Sequence, residues 1–412
     1  MIEATKTSGG IFFGWRVVAV AFVFAIFAWG VAFYGPSVFL HALHERHGWP
    51  VSLISAAITA HFLLSAAMVT YLDDAHRRFG IVVTTRLGVL SLALGALAWS
   101  LAAAPWQLFG AALVSAVGWA ATSGAAINAM VAPWFKRRRG LALSLAYNGA
   151  SIGGVLFLPL WVLLIEQWGF PGAAAMVAVA SLLVLWPLAG VYLRPTPASL
   201  GVAPDGGVVP PGPGGAPTLE RPPASRRALL RDRRFLTLST AFALALFSQV
   251  GLIAHLLSLL VPILGERGAA GAVSLTTTCA VIGRLLLGAV IDRLDRRLAA
   301  AGIFALQAGG FLLIASGGAA AALVGAVLFG LGLGNLISLP PLIAESEFDP
   351  VDVGRVVAFA IAINQATFSF APGVFGALHD LAGGYAAPLA LAVALHTTAA
   401  VLVLAGRDAS RR

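Results

Sequence analysis

Long apolar runs alternate with short polar punctuation along this chain, at a spacing set by bilayer thickness and not by the amphipathic period of a soluble helix. Apolar runs near 15–40, 51–72, 82–103, 106–131, 140–165 and 172–193 are followed by six more near 235–261, 269–291, 299–317, 320–344, 355–378 and 385–405. A helix crosses hydrocarbon with about 20 apolar residues, so the pattern predicts twelve transmembrane helices. The interval 194–234 breaks it, with Pro195, Pro197, Pro204, Pro210, Pro211, Pro213, Pro217, Pro222 and Pro223 among glycines and arginines. Such a segment reads as a flexible linker. The expected fold is therefore all-α and polytopic, with six-helix bundles at 1–193 and 235–412 joined by the linker 194–234.

Composition agrees. Of 412 residues 59% are hydrophobic and 10% charged, against about 25% charged in soluble domains, so the chain cannot clothe a water-facing surface. The single cysteine, Cys279, allows no intramolecular disulfide and no thiolate metal cage. No metal, no cofactor and no obligate protein partner is expected. A net charge of +9 would suggest nucleic acid in a soluble protein, but here the cations lie between spans, so the expected surroundings are lipid and no nucleic acid.

Sorted against the spans, 23 of the 26 lysines and arginines fall on one side, including Arg77, Arg78, Arg86, Lys136 to Arg139, Arg293, Arg296, Arg297, Arg355 and the linker arginines. Only Arg46 and Arg267 fall on the other. The cytoplasmic excess of basic residues then predicts cytoplasmic N- and C-termini and a cytoplasmic linker, in a plasma or inner membrane. The first span is about 25 residues long and ends in an aromatic-rich stretch, unlike a cleavable signal.

Two echoes relate the halves. Leu72-Asp-Asp-Ala-His-Arg-Arg78 follows the second span and Ile291-Asp-Arg-Leu-Asp-Arg-Arg297 the eighth; Arg139 precedes Asn148 by nine residues, as Arg355 precedes Asn364. Duplicated halves of like topology pack about an axis along the membrane normal, with a substrate site between them at mid-depth.

The motif after the second span, with Asp73, Asp74, Arg77, Arg78 and Gly80, resembles a degraded copy of the hallmark loop of the major facilitator superfamily; its leading glycine is missing. Pro133-Trp-Phe-Lys-Arg-Arg-Arg-Gly140, running on to Asn148-Gly-Ala-Ser-Ile-Gly-Gly154, is similar to the entry to the fifth helix in the oxalate/formate antiporter and monocarboxylate transporter branch. Tyr34-Gly-Pro-Ser-Val-Phe39, His47-Gly-Trp49 and Gly330-Leu-Gly-Leu-Gly334 are similar to the same branch. The resemblance covers essentially the whole chain and implies a twelve-helix secondary transporter of small organic anions.

One side chain carries the chemistry independently of that resemblance. Arg284 lies eight residues before Asp292, about 12 Å deep at 1.5 Å per residue. A central arginine costs about 2.5–3.5 kcal/mol to insert, and no Asp or Glu sits within any predicted span; Glu166, Asp292, Glu345 and Asp380 are all at helix ends. A substrate carboxylate is the simplest partner for the guanidinium fork. Snorkelling to the interface, or capping carbonyls of a broken helix, is the structural alternative. The resemblance also implies an anion-binding arginine at this point of the eighth helix. It implies further charges that are missing: the eleventh helix has no lysine, position 280 is alanine, and Phe33 and Tyr34 stand where animal-type carriers have a lysine. One cation suits a monocarboxylate.

His255, four residues after a candidate hinge at Gly251, is the candidate proton-coupling group; a lone histidine at a span end is otherwise a hydrogen-bonded interface residue. His61 and His396 are weaker candidates for the same role. Tyr34, Tyr147, Asn148, Asn335 and Asn364 are candidates to complete the substrate pocket, or to act as interhelical hydrogen-bonding glue. Tyr147 and Asn148 are adjacent and point about 100° apart, so one of the two is expected at the ligand. Gly330, Gly332 and Gly334 follow no strand and so do not read as a dinucleotide loop; like Gly149 and Gly153 they read as close helix contacts. Pro159, Pro340, Pro341 and Pro372 are expected to kink or end helices. Trp15, Trp49, Trp106, Trp134 and Trp168 read as interfacial anchors. The spans lack paired carboxylates, metal clusters and nucleophile–base pairs, so an enzyme is not expected. The function expected is secondary transport of a small organic anion, a monocarboxylate, with protons as candidate coupling ions. A multidrug or other small-molecule efflux carrier and a non-transporting membrane sensor are the alternatives.

Overall fold

The computed structural model describes residues 12–206 and 225–407; the basic termini and linker residues 207–224, with Arg221 and six of the linker prolines, lie outside the described residues. The described chain folds as helices: α1 Phe13–Ala28, α2 Gly35–His47, α3 Val51–Val69, α4 Leu72–Phe79, α5 Ile81–Leu101, α6 Pro105–Thr122, α7 Gly124–Val131 and α8 Arg139–Tyr192. After the linker come α9 Arg226–Leu229, α10 Arg233–Val290, α11 Arg296–Ala315, α12 Ala319–Leu333, α13 Asn335–Glu347, α14 Pro350–Phe368, α15 Ala371–Ala382 and α16 Ala386–Ala405. Ten continuous helical stretches are long and apolar enough to cross a membrane. Two of them, α8 and α10, run for 54 and 58 residues, long enough at about 20 residues per crossing for two passes each.

The turns expected inside these two long helices shrink to one glycine apiece. Gly169 has φ 67° and ψ 170°, and Gly265 has φ 70° and ψ 168°. Only glycine takes such a conformation without steric cost, so one residue reverses the chain where several were expected to loop.

The first predicted span also differs. Helix continues from Phe13 to His47 with a π turn at Trp29–Phe33, where Tyr34 N–H donates to Trp29 O at 2.8 Å. The widened turn leaves Gly30 O for Trp161 Nε1, which donates to it at 3.2 Å. The two sequence echoes have different local structures. Leu72–Phe79 is a short helix with Asp73 and Asp74 in its first turn and Arg77 and Arg78 in its last, the charge order that complements the helix dipole. The second copy is a 3-10 turn followed by Asp295, whose carboxylate caps α11 by accepting from Arg297 N and Leu298 N at 3.0 and 2.9 Å.

Small residues let the helices approach. A β-carbon on Gly149 would lie 2.9 Å from Ala25 Cβ, and one on Gly330 would lie 2.8 Å from Cys279 Cβ, so both glycines serve the close crossings expected of them. Gly251 is not a hinge: α10 is continuous through it, and it is seated against the Phe375 ring. Trp106 and Trp168 are exposed, as anchors should be, but Trp134 is buried against Phe12 and Phe13.

Arg297 was expected only as a topology signal, yet its side chain is 2% exposed. All five of its N–H donors are used. Nε and Nη2 bind the Glu347 carboxylate at 2.6 and 2.8 Å, Nη1 donates to Thr237 Oγ1 and Val403 O at 3.0 Å, and Nη2 also donates to Arg234 O at 2.9 Å. One guanidinium thus ties α10, α11, α13 and α16 together.

The linker is not flexible throughout. Its first described part, 194–206, docks on the loop before α8, where the Asp205 carboxylate accepts from the backbone amides of Lys136, Arg137 and Arg138 at 3.0, 2.8 and 3.1 Å. Asp205 holds φ 63°, and no other described non-glycine residue has a positive φ. Aspartate tolerates that conformation better than most residues.

Removing one partner of a buried, fully bonded ion pair costs about 3–5 kcal/mol. Arg297→Gln is therefore expected to lower the thermal midpoint sharply while leaving ligand binding by the folded fraction intact; a wild-type melting curve would refute the role given to Arg297. The amide of Arg137, with those of Arg138 and Lys136, holds the Asp205 carboxyl below the usual carboxylate range. A depressed value means that docking is fully present above the ordinary carboxylate range and is lost as pH falls through the docked-state value. Limited proteolysis should accordingly nick the linker faster in acid, and Asp205→Asn should show that faster rate already at neutral pH.

Candidate functional site

Arg284 lies on α10, nineteen residues past the Gly265 turn, where α10 meets α8 and the junction of α12 with α13. Its Nη1 donates to Asn148 Oδ1 at 3.1 Å, across 136 residues of sequence. Nε is buried and has no partner among the described residues. No described carboxylate forms an ion pair with it. Its seat is made by Gly334, where a β-carbon would fall 3.0 Å from both Nε and Nη2 and 2.8 Å from Ala280 O. Glycine at 334 is thus what lets the guanidinium lie flat against the α12–α13 junction.

The other candidates take distinct places. Tyr34 is 3% exposed, directly after the π turn, with its ring against Gly154. Tyr147 turns away: its hydroxyl donates to Gly124 O at 2.7 Å and its ring meets the edge of Trp29. Neighbouring side chains on α8 thus diverge, Asn148 toward Arg284 and Tyr147 toward α7. Asn335 is buried beside the Gly334 seat; its Nδ2 donates to Leu331 O at 3.0 Å and its Oδ1 is unpartnered. Asn364, on α14, is buried with an unpartnered Oδ1 as well. In low-dielectric surroundings each missing hydrogen bond is costly.

Aromatic side chains line the neighbouring part of the first helices. Phe33 stacks on Trp119 at 5.8 Å, Trp29 meets Trp119 edge-on at 4.8 Å, and Phe33 contacts Phe62 at 5.9 Å. They supply apolar area without hydrogen-bonding demands.

Among the histidines, His255 is fully buried and lies between helices. Its Nε2 faces Pro372 O at 3.0 Å and Ser55 Oγ at 3.3 Å, and its Nδ1 lies 3.3 Å from Tyr385 Oη. His396 is bound to Gln307 at 2.8 Å, and Gln307 donates on to Gln249 Oε1 and Phe329 O. His61 Nδ1 shares Ser115 Oγ with Trp99 Nε1. Sequence reasoning missed the Gly334 seat, the π turn before Tyr34 and the contacts of His255 with α3 and α15. Of these, only the Gly334-Asn335 pair beside an apolar run was a local signal.

Gly334→Ala is expected to displace the guanidinium and, because its β-carbon would also meet the Ala280 carbonyl, to shift α10 from the α12–α13 junction, lowering the thermal midpoint and weakening anion binding by the folded fraction by at least about ten-fold, or about 1.4 kcal/mol. Titration of a small carboxylate against the folded variant measures this, and unchanged affinity would show that Arg284 is not held for a ligand by its glycine seat.

A family model described as Major Facilitator Superfamily matches residues 18–344. Among curated proteins, the MFS-type transporter pynF of Aspergillus niger is 28% identical over 225 residues, 52% of this chain and 45% of that protein. Monocarboxylate transporter 13 of Bos taurus is 32% identical over 148 residues, 35% of this chain and 30% of that protein. The chain spans less than half the length of these curated relatives. Among solved structures, a bacterial homologue of the human lysosomal transporter Spinster, inward-facing and unoccupied, is similar with a TM-score of 0.69 at 15% identity, covering 98% of this chain and 100% of that one. A variant of the nucleoside transporter NupG gives a TM-score of 0.70 at 11% identity, covering 95% of this chain and 98% of that one. At such identities the likeness to solved structures shows the fold alone.

Proposed function

The chain belongs to the Major Facilitator Superfamily, and from that premise we propose that this multi-pass membrane transporter is a secondary carrier of a small organic anion, a monocarboxylate, with Arg284 as its anion-binding cation. Alternating access is exerted between the bundles 1–193 and 235–412, joined by the linker 194–234. The charge distribution favours cytoplasmic termini in a plasma or inner membrane.

The observation that carries the anion reading is the state of the Arg284 guanidinium. A buried arginine kept for structure should resemble Arg297, with a carboxylate and every donor engaged. Arg284 has one carboxamide and an unpartnered Nε. A carboxylate accepting from Nε and an Nη in the same plane would complete the fork. In this reading Asn148 fixes the guanidinium plane, Tyr34 bounds the site from between the π turn and α2, Asn335 and Asn364 offer acceptors to polar groups of the substrate, and Tyr147 braces the wall behind Asn148. A second carboxylate on the ligand would have no fixed cation and would be costly to desolvate. The short match to a monocarboxylate transporter supports the same class. The aromatic wall of Phe33, Trp29, Trp119 and Phe62 favours an apolar moiety and keeps a multidrug or other small-molecule carrier as the second reading. His255, buried where helices from the two bundles meet, is the candidate for proton coupling.

The test combines binding, melting and vesicle uptake for wild type, Arg284→Lys and Arg284→Gln. Affinity for lactate or pyruvate should fall in that order, and in wild type both should bind better than oxalate or malonate. Uptake that depends on substrate separates a carrier from a non-transporting sensor. Normal anion uptake by well-folded Arg284→Gln protein would remove the basis of the anion reading and favour the multidrug one.

A further inference from the structure

The helices before and after the linker meet in a seam on the face remote from the linker; Arg267 of α10 pairs with Glu166 of α8 at its solvent-exposed edge, and the polar contacts between α3 and α15 lie on either side of His255. Ser52 N–H, at the start of α3, donates to Asp380 Oδ2 at 2.8 Å, and Gly373 N–H donates to Thr59 Oγ1 at 2.8 Å. Between these two bonds lies His255, 0% exposed, with its ring stacked over Phe375 at 6.2 Å. Pro372 O can only accept, so Nε2 carries the proton of the neutral ring, and Ser55 Oγ of α3 sits against the same nitrogen. Nδ1 then holds the lone pair and accepts from the Tyr385 hydroxyl. The tautomer is fixed by the partners of the ring, as is usual for functional histidines.

Tyr385 leads outward. Its ring lies 4.5 Å from that of His379, whose Nδ1 is 2.9 Å from Asp380 Oδ1. The His379 and Asp380 side chains are 23% and 30% exposed, so this end of the chain of groups touches solvent. Among the described residues the charged groups acting on His255 are His379 and Asp380. From α3 it is faced by Ser55. From α2, which meets α10 through Ser37 Oγ and Leu257 N, the nearest charge contact is His41 with Glu266, further along α10.

We infer that His255 is a proton-binding group that latches the remote seam, and that Asp380, His379 and Tyr385 connect it to solvent. The inference rests on the transporter reading but not on which substrate is carried. The step is a proton transfer alone: the Tyr385 hydroxyl gives its proton to Nδ1 as its oxygen takes one from water entering at the solvent-touching His379–Asp380 end, and no bond other than O–H and N–H changes. The neutral ring satisfies Pro372 O and sits against Ser55 at no charge cost. The imidazolium would be enclosed by a carbonyl, two hydroxyls and a phenyl ring, with its nearest carboxylate, Asp380, already engaged by Ser52 and His379. Its hydration is recovered only when α3 parts from α15, so protonation opens the seam and deprotonation lets it close.

Hydrogen exchange of the purified, full-length protein tests this without substrate, after correction for the intrinsic pH dependence of exchange. Protection of the segments 51–59 and 371–380, which carry the Ser52 and Gly373 amides, should fall at least several-fold from about pH 8 to about pH 5, the range in which histidine changes charge. His255→Gln, which keeps a donor for Pro372 O but cannot titrate, should hold both segments at the high-pH level throughout. Tyr385→Phe should reach the wild-type low-pH level but approach it more slowly after a pH jump. A pH-independent pattern in wild type, or a wild-type response in His255→Gln, would overturn the latch. An unslowed Tyr385→Phe would overturn the route through Tyr385. Carboxylate binding by wild type against Arg284→Gln at one fixed pH reports separately on the Arg284 site, so either reading can fail alone.

Discussion

A guanidinium cannot sit in a low-dielectric interior without acceptors, and the architecture around α10 follows from how two arginines meet that requirement. Arg297 meets it within the chain: Glu347 and the surrounding carbonyls take every donor, and the cost of bringing the charge out of water is offset by complete bonding. Arg284 is left partly unmet. Its helix approaches the α12–α13 junction closely enough to exclude water because Gly330 and Gly334 lack side chains on the facing surface. Asn148 supplies one acceptor from a helix of the other half. The remaining donors point the chemistry of the site toward an anion, and the same logic makes the unpartnered oxygens of Asn335 and Asn364 receptive to donors.

The all-helical, membrane-spanning character of the chain was legible because hydrocarbon imposes a minimum length on every crossing and penalises charges within it. What run length could not reveal was where helix stops. Residues 41–47 include His41, His44, Glu45, Arg46 and His47 and are still helical, since the chain continues α2 until Gly48 adopts a left-handed conformation. The reversals at Gly169 and Gly265 need one residue each, so α8 and α10 read on as unbroken helix where loops were expected. The π turn at Trp29–Phe33 was invisible for a different reason: the released Gly30 carbonyl is satisfied by Trp161, 131 residues away. Asp205 shows the same limit. Nothing local in a proline-rich linker announces that one carboxylate will find three amides on a loop 67 to 69 residues earlier.

Arg284 stood out in the sequence because it is a charge inside an apolar run, whereas Arg297 hid among the cations of a basic loop and could not be told from a topology signal. Candidate polar residues could be named but not sorted. Tyr147 and Asn148 were equivalent on paper, and it is the crossing of α8 with α7 on one side and α10 on the other that sends one hydroxyl to Gly124 and one carboxamide to Arg284. Trp134 misled because a tryptophan next to a basic stretch has the composition of an interfacial anchor, while Phe12 and Phe13 cover it in the fold.

The strength of the remote seam is commensurate with a structure that must open it. Glycines seat helices on one another within each half, and Gly373 and Gly376 of α15 do the same against Thr59, Ser55 and Ser52 of α3 across the seam, so apolar packing there is close and the polar ties are what a change of charge can alter. Across the seam the polar ties are one forked but solvent-exposed ion pair, Arg267 with Glu166, and single bonds: Ser37 to Leu257 N, Ser52 N to Asp380, Gly373 N to Thr59, and His255 beside Ser55. A typical intramolecular hydrogen bond contributes about 0.5–1.5 kcal/mol net, and inverting a two-state population from 1:99 to 99:1 takes about 5.5 kcal/mol. A handful of such bonds is therefore of the size that ligand binding or one proton can overcome. A buried pair of the Arg297–Glu347 kind placed there would hold the seam shut, and it is found instead inside one half, where nothing has to move.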